Sequence, residues 1–368
     1  MAAKVKVGII GVGNISPAYI NGIRSFEILE LVAVADLDVE RAKARAKEFN
    51  VPKAYSVDEL LADPEIEIVV NLTIPQAHAQ VNLRIIQAGK NVYAEKPFGL
   101  NREEGKPVLD EAKARNLLVG CAPDTFMGGG IQTCRKLIDD GAIGEPVAAV
   151  AYMAGHGPES WHPNPIFYYQ RGGGPMFDMG PYYLTALINL IGPVKRVTAS
   201  ARASFAERIA TSKEMNGVKL AVEVPTHIAG VLDFASGAVG NLIMSFDIWS
   251  HNLPRIEIYG SEGSLSVPDP NTFGGPVKIR KATESDWKEV KLTHGYTENM
   301  RGIGVADMAY ALRSGRPQRA SGALAYHVLD LMQAFHDASD TGQHIAIQST
   351  VAQPAPLPTG LKPGTLDA

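Results

Sequence analysis

Short apolar runs alternate with amphipathic stretches over roughly the first 120 positions of this 368-residue chain. The runs Val5–Ile10, Leu31–Ala35, Ile66–Leu72, Asn91–Ala94 and Leu117–Ala122 have the length and content of strands. Between them, Val39–Phe49, Val57–Ala62, Gln76–Ala88 and Arg102–Asn116 read as helices. Ser56-x-x-Glu59 is a capping box at one of their starts, Asn101-x-x-Glu104 has the spacing of a second, and Gly89 follows another helix as a stop signal. Strand and helix in strict alternation predict a parallel sheet covered on both faces.

After Pro123 the rhythm changes. Helices at Ile131–Asp139 and Pro181–Ile191 flank a loop rich in proline, glycine and aromatic residues. Strand patterns then follow one another at Val194–Ser204, His227–Phe234, Ala238–Asp247, Arg255–Tyr259, Val277–Lys281 and Lys288–Leu292. Successive strands without intervening helices predict a mainly antiparallel sheet that can stay open on one face. Such a face is where subunits meet, so a homodimer or homotetramer is expected. Helices near Met300–Ser314 and Gly322–Thr341 close the region; in the second, Ala325, Val328, Leu329, Met332 and Phe335 recur at helical spacing. From Gln353, four prolines suggest an extended arm rather than a packed element. The expected fold class is α/β: a dinucleotide-binding domain at 1–123, a second α/β domain at 124–345 with a large open sheet, and a tail at 346–368.

Apolar residues make up 45 % and charged residues 20 %, as in ordinary globular proteins. The net charge is −4 without a long Lys/Arg block, which argues against nucleic acid or a membrane surface as partner. No apolar run approaches the roughly 20 residues of a membrane span. The strand pattern begins almost at residue 1, leaving no room for a secretion signal, and Cys121 and Cys134 have no metal or disulfide spacing. A cytoplasmic protein is the expectation.

Chemistry enters with "VKVGIIGVGNIS", where Gly11-x-Gly13-x-x-Ser16 lies between the first strand and a helix. Glycines there let the backbone turn tightly against a pyrophosphate, whose charge meets amides at the helix start. Gly11, Gly13, Asn14 and Ile15 form the expected cradle. Asp36 ends the second strand and suits the two ribose hydroxyls; "ADLDVE" offers no adjacent base for a 2′-phosphate, so NAD is favoured over NADP. Thr73 and Pro75, with His78, follow the next strand, and Glu95 and Lys96 end the fifth, where open sheets bind ligands. Partial burial beside a cofactor is expected to lower the Lys96 pKa toward useful values.

"GGGPMFDMGPYYLT" places Asp178 and Tyr182 four residues apart, on one face of a helix. His156, Glu159 and His162 sit at intervals of three in an irregular loop, which fixes no chelating geometry, so no metal is expected. Asp124 follows the sixth strand and either binds a substrate hydroxyl or caps a turn or helix. Tyr168 and Tyr169 either stack on a substrate ring or support their loop.

GVGNIS, Asp36, the Thr73-Ile74-Pro75-x-x-His78 loop, Glu95-Lys96-Pro97 and the GGG…Asp178-x-Gly180 stretch, in this order, resemble the Gfo/Idh/MocA oxidoreductases over nearly the whole chain. The resemblance implies an amino-terminal Rossmann domain and a carboxyl-terminal domain that makes dimers or tetramers. It also implies hydride transfer between a nicotinamide cofactor and a sugar or cyclitol hydroxyl or ketone. Lys96 then corresponds to the catalytic lysine, Asp178 to the aspartate that holds the reacting hydroxyl, and Trp161 to a residue near the cofactor. The commonest pattern, Asp-x-Gly-x-His, has its proton-transfer histidine where this chain has Tyr182. A tyrosine needs a nearby cation to act as a base at neutral pH, and Lys96 is the expected one. His162 is a rival proton carrier, histidine being the side chain that changes charge near neutrality. Substrate contacts are expected from Lys96, Asp124, His162, Tyr168, Asp178 and Tyr182. Two alternatives remain at this stage: redox-assisted glycoside hydrolysis or elimination with no net use of NAD, and a non-catalytic regulator that senses NAD or a sugar.

Overall fold

A computed structural model describes residues 3–367, beginning with β1 (Val5–Ile10), where every residue but Lys6 is buried. Strands β2 (Leu29–Ala35), β3 (Lys53–Tyr55), β4 (Ile68–Asn71), β5 (Asn91–Ala94) and β6 (Val119–Cys121) join it in the order β3-β2-β1-β4-β5-β6, all parallel. Near-continuous apolar strands are what a sheet buried on both faces requires. Helices α1 (Ser16–Arg24), α2 (Val39–Phe49), α3 (Val57–Ala62), α4 (His78–Gln87) and α5 (Arg102–Ala114) alternate with the strands. The capping box at Ser56 and Glu59 forms both of its reciprocal bonds. Strand order reverses between β1 and β4, and the crevice beyond their carboxyl ends is the place where such sheets take ligands.

The second domain opens with α6 (Gly129–Asp139), β7 (Pro146–Ala154) and α7 (Gly174–Ile191). Strands β8 (Val194–Arg202), β9 (Glu207–Ile209), β10 (Lys219–Ala221), β11 (His227–Phe234), β12 (Val239–Ser245), β13 (Ile256–Gly260), β14 (Gly263–Val267), β15 (Val277–Lys281) and β16 (Lys288–Val290) follow. Helices α8 (Ile303–Ser314) and α9 (Gly322–Thr341) and the short β17 (Ile345–Ala346) complete it. Nine strands form one sheet, β16-β15-β14-β13-β7-β12-β11-β8-β17, in which β7 and β12 are parallel and the other neighbours antiparallel. β7, absent from the expected set, is its central strand; four alanines give it little strand signature, although Ala149, Ala151 and Met153 point into the core in alternation.

Helices α6, α7 and α9 pack on one face of this sheet. Val150, Tyr152, Val231 and Ile243 stand half-buried on the other, which no helix among the described residues covers.

Two expectations need correction. The helix expected from Pro181 begins at Gly174 instead, so Pro181 lies inside it and Asp178 and Tyr182 both ride on α7. The tail has no regular structure after Gln353, yet it is a packed strap and not a free arm. Leu357 and Leu366 are buried, Leu357 N donates to Gln132 Oε1 at 2.8 Å, and Glu27 N donates to Gly364 O at 3.3 Å. Prolines have no N–H to satisfy, which lets an extended segment pack without a ladder.

Candidate active site

At the end of β1 the backbone of Gly11 adopts φ +93°, and a Cβ there would meet the Leu72 carbonyl oxygen at 2.7 Å. Only glycine fits. Ser16 fills the third position of the motif: it is buried, and its Oγ donates to Gly13 O at 2.8 Å. No side chain caps α1, leaving its amino-terminal end open to an anion. Asp36 is fixed at the end of β2, accepting from Val12 N at 3.0 Å and Asp38 N at 3.1 Å. The expectation of no neighbouring base is corrected: α2 turns the Arg41 guanidinium back to 3.6 Å from Asp36 Oδ1.

A cavity of about 280 Å³ is bordered by Gly11, Gly13, Asp36, Arg41, Thr73 and Ile74. A second, of about 320 Å³, is bordered by Ile15, Thr73, Pro75, Glu95, Lys96, Tyr168, Asp178 and Tyr182, among others. Leu72 and Thr73 line both, so the two form one crevice along the carboxyl ends of the strands. A carboxylate at one end, a glycine turn at a helix start and a lysine at the other end fit a dinucleotide. Gly11, Gly13, Ile15, Asp36, Thr73, Pro75, Glu95 and Lys96 are the residues that would hold it; Asn14 is exposed at the loop tip and borders neither cavity.

In the larger cavity Lys96 Nζ donates to Asp178 Oδ1 at 3.0 Å and to the Asp178 carbonyl oxygen at 2.8 Å. The expected fall in the Lys96 pKa does not occur. Burial pushes it down, but Asp178, Tyr182 and Glu95 outweigh that effect and raise it, so the ammonium stays charged. Tyr182 lies one turn beyond Asp178 on α7, and burial raises its hydroxyl pKa against the opposing pull of Lys96 and Arg301. Glu95 accepts from Tyr19 Oη at 2.7 Å and from Lys96 N at 3.0 Å, which ties β5 to α1.

Tyr168 borders the cavity with its phenol pushed up to about 12 by burial and then by Asp178. Its ring centre lies 5.1 Å from that of His162 and 6.5 Å from that of Trp161. His162 and Trp161 border neither cavity; Trp161 is 65 % exposed, and His162 Nδ1 accepts from Asn164 N at 3.0 Å. The structure therefore brings Tyr182, not His162, to Lys96 and Asp178. His78 is fully enclosed, its ring nitrogens 2.7 Å from Pro97 O and 3.0 Å from Thr73 O, so it braces the two loops that border the cavity. Tyr169 supports its loop by donating to Glu159, which also pairs with Arg208.

Asp124 is a correction. Of the two roles open to it, the geometry fits the cap: it is buried, does not border the cavity, and its Oδ2 accepts from Gly302 N at 2.9 Å and Gly304 N at 3.2 Å at the start of α8. Burial raises its carboxyl pKa, against the pull of Arg301 and the two amides. The pattern also missed Arg301, which is buried and whose Nη2 donates to Tyr182 Oη at 3.0 Å. Gly22 of α1 packs directly on the Arg301 backbone, where a Cβ would overlap the carbonyl oxygen.

A Rossmann sheet with a crevice that fits a dinucleotide, joined to a second domain whose helix α7 contributes an acidic and phenolic wall, defines a nicotinamide-dependent oxidoreductase. The chain belongs to the Gfo/Idh/MocA oxidoreductase family: residues 5–122 match the oxidoreductase family with NAD-binding Rossmann fold, and residues 131–266 match the GFO/IDH/MocA C-terminal domain. It is 30 % identical to an uncharacterized oxidoreductase of Rhizobium meliloti, over 72 % of this chain and 75 % of that one. It is 28 % identical to the trans-1,2-dihydrobenzene-1,2-diol dehydrogenase of Bos taurus (72 % and 74 % covered) and 23 % identical to the myo-inositol 2-dehydrogenase of Thermotoga maritima (71 % and 74 %). Among solved structures, levoglucosan dehydrogenase in complex with NADH shares the fold at a TM-score of 0.80 and 21 % identity, covering 94 % of this chain and all of the other.

Proposed function

We propose that this enzyme oxidises a ring hydroxyl of a sugar, sugar derivative or cyclitol with NAD, or runs the reaction as a ketone reduction. The observation that carries this is the cluster of Lys96, Asp178 and Tyr182 on the wall of the cavity that continues from the glycine loop. NAD, when bound, supplies the hydride acceptor. Lys96 donates to the substrate oxygen and stabilises the charge that grows there as the hydride leaves carbon. Asp178 accepts from a substrate hydroxyl and orients it, and Tyr182 takes the proton from the reacting hydroxyl, or returns it in reduction. Tyr168 packs against the ring. The relatives named for myo-inositol, dihydrobenzenediol and levoglucosan support a hydroxylated ring as substrate.

The half-buried row of Val150, Tyr152, Val231 and Ile243 on the uncovered sheet face supports a homodimer or homotetramer built through that face. Two buried free cysteines, Cys121 and Cys134, support a reducing cytoplasmic setting, and no helix among the described residues is long and apolar enough to cross a membrane.

The test is NADH absorbance in a screen of levoglucosan, myo-inositol, hexoses and glycosides, with substrate followed by chromatography. NADH accumulating with one of them supports the dehydrogenase. Substrate lost without NADH transfers the assignment to redox-assisted cleavage, and NAD binding without any turnover transfers it to a sensor.

A further inference from the structure

Two cations approach the Tyr182 ring, and they approach it differently. Lys96 Nζ stands 5.2 Å from the ring centre and directs two of its three hydrogen bonds to Asp178. The Arg301 guanidinium carbon stands 5.4 Å from the same centre, and its Nη2 donates directly to the phenolic oxygen. A guanidinium has donors only, so Oη must act as acceptor there. The hydroxyl proton is left to point elsewhere, and Tyr182 borders the cavity.

Arg301 is held from behind. The same Nη2 reaches Asn271 Oδ1 at 3.1 Å, and Nη1 faces Asp124 Oδ1 at 4.0 Å. Asp124 in turn holds the amides of Gly302 and Gly304, immediately after Arg301 in the chain. Asp124 Oδ1, Arg301 Nη1 and Tyr93 Oη are buried without a partner. Tyr93 Oη lies against Gly304, beside the amide that Asp124 accepts.

We propose that Arg301, anchored by Asp124, is the positioning residue that fixes the Tyr182 oxygen and stabilises its anion while the proton moves. The role rests on Tyr182 being the proton carrier. The other groups that face Tyr182 are Lys96, Glu95, Asp178 and Tyr168: one cation against two carboxylates and a neutral phenol. Burial keeps the hydroxyl protonated at rest, and Arg301 is the second positive charge, after Lys96, that opposes this and favours the anion.

The experiment compares Arg301→Gln, Arg301→Lys and Tyr182→Phe in the full-length protein. The ¹³Cζ resonance of Tyr182, assigned by its absence in Tyr182→Phe, is titrated without substrate. Loss of the charge in Arg301→Gln is expected to move the titration up by a pH unit or more, with Arg301→Lys moving it less. With the polyol found in the NADH screen, kcat/KM of Arg301→Gln is expected to fall about tenfold or more at pH 7, a deficit that closes only as pH rises past the wild-type Tyr182 midpoint. A common titration midpoint in wild type and Arg301→Gln overturns the proposal, as does a Tyr182 resonance that never titrates in wild type or a rate deficit that stays constant across the wild-type midpoint. Full activity in Tyr182→Phe overturns the proton carrier and the role of Arg301 with it, whereas a crippled Tyr182→Phe beside a common midpoint overturns the role of Arg301 alone.

Discussion

Lys96 Nζ and Asp178 Oδ1 meet at 3.0 Å across the domain boundary, joining the end of β5 to the second turn of α7. The pair keeps the ammonium charged and aimed into the cavity, where a positive charge is worth most against a developing alkoxide. Lys96→Met keeps the length of the side chain and removes the charge. Turnover should fall by about 10²–10³-fold, the usual loss when one such donor is removed, with the NADH dissociation constant near wild type. Steady-state rates alongside a fluorescence titration of NADH check this; undiminished turnover excludes Lys96 from the chemistry.

Asp36 decides the adenosine end. Its carboxylate is fixed by two amides and stands beside Arg41. Asp36→Ser should lower kcat/KM for NAD about tenfold or more, since hydrogen bonds to a charged group are worth about 1.5–3 kcal/mol. NADP should gain at the same time, because Arg41 is then free to meet a 2′-phosphate. The ratio of kcat/KM for the two cofactors is the measurement, and an unchanged ratio removes Asp36 from the site.

Stability should decline on the acid side of neutrality. Burial lowers the pKa of His78, and likewise of His294, His327 and His336, below the usual 6.5. The unfolded chain then binds more protons than the folded one, so these histidines' contribution is complete above about pH 6.5 and is lost as pH falls through their folded values. Thermal unfolding at pH 5.5 should come at a lower temperature than at pH 7.5, and His78→Gln should flatten part of that difference. A melting temperature constant over this range contradicts the neutral assignment.

Leu366 is fully enclosed in a segment without regular structure. Leu366→Ala should cost about 2–5 kcal/mol, as for a core leucine in a helix or strand. Urea unfolding reads the difference, and a cost below about 0.5 kcal/mol, typical of surface substitutions, shows that the strap contributes no packing.

Ile243→Arg puts a charge on the uncovered sheet face beside Ala229 and Tyr152 without touching the core. If copies of this chain meet through that face, light scattering should report a smaller particle for the variant than for the wild type. An unchanged assembly moves the interface elsewhere.

The parts of the site that were legible in the sequence are the contiguous ones. Gly11-x-Gly13 is local because one turn must make one phosphate cradle, and Lys96 declares itself by ending a strand. Arg301 is 119 residues from Tyr182, in a loop whose pattern carries no period, so only the packed fold brings the two together. Asp124 follows a strand, a position open both to a substrate contact and to a cap; what it holds is the start of α8, 178 residues away in the chain. In the fold, α2, α3 and β11 carry strong patterns and stand at their expected bounds, whereas the alanine-rich β7 and the glycine- and serine-bearing β14 have side chains too small to mark a strand.

Gly22 gives the two ends of the crevice a shared mechanical reference. The helix whose first turn would meet the phosphates rests, backbone on backbone, on the residue that grips the phenol. A single methyl group added there, on a surface that touches neither cavity, would wedge the two apart and shift the guanidinium that holds the Tyr182 oxygen. The tolerance of this enzyme to substitution along α1 is therefore set partly by chemistry on the opposite side of the helix.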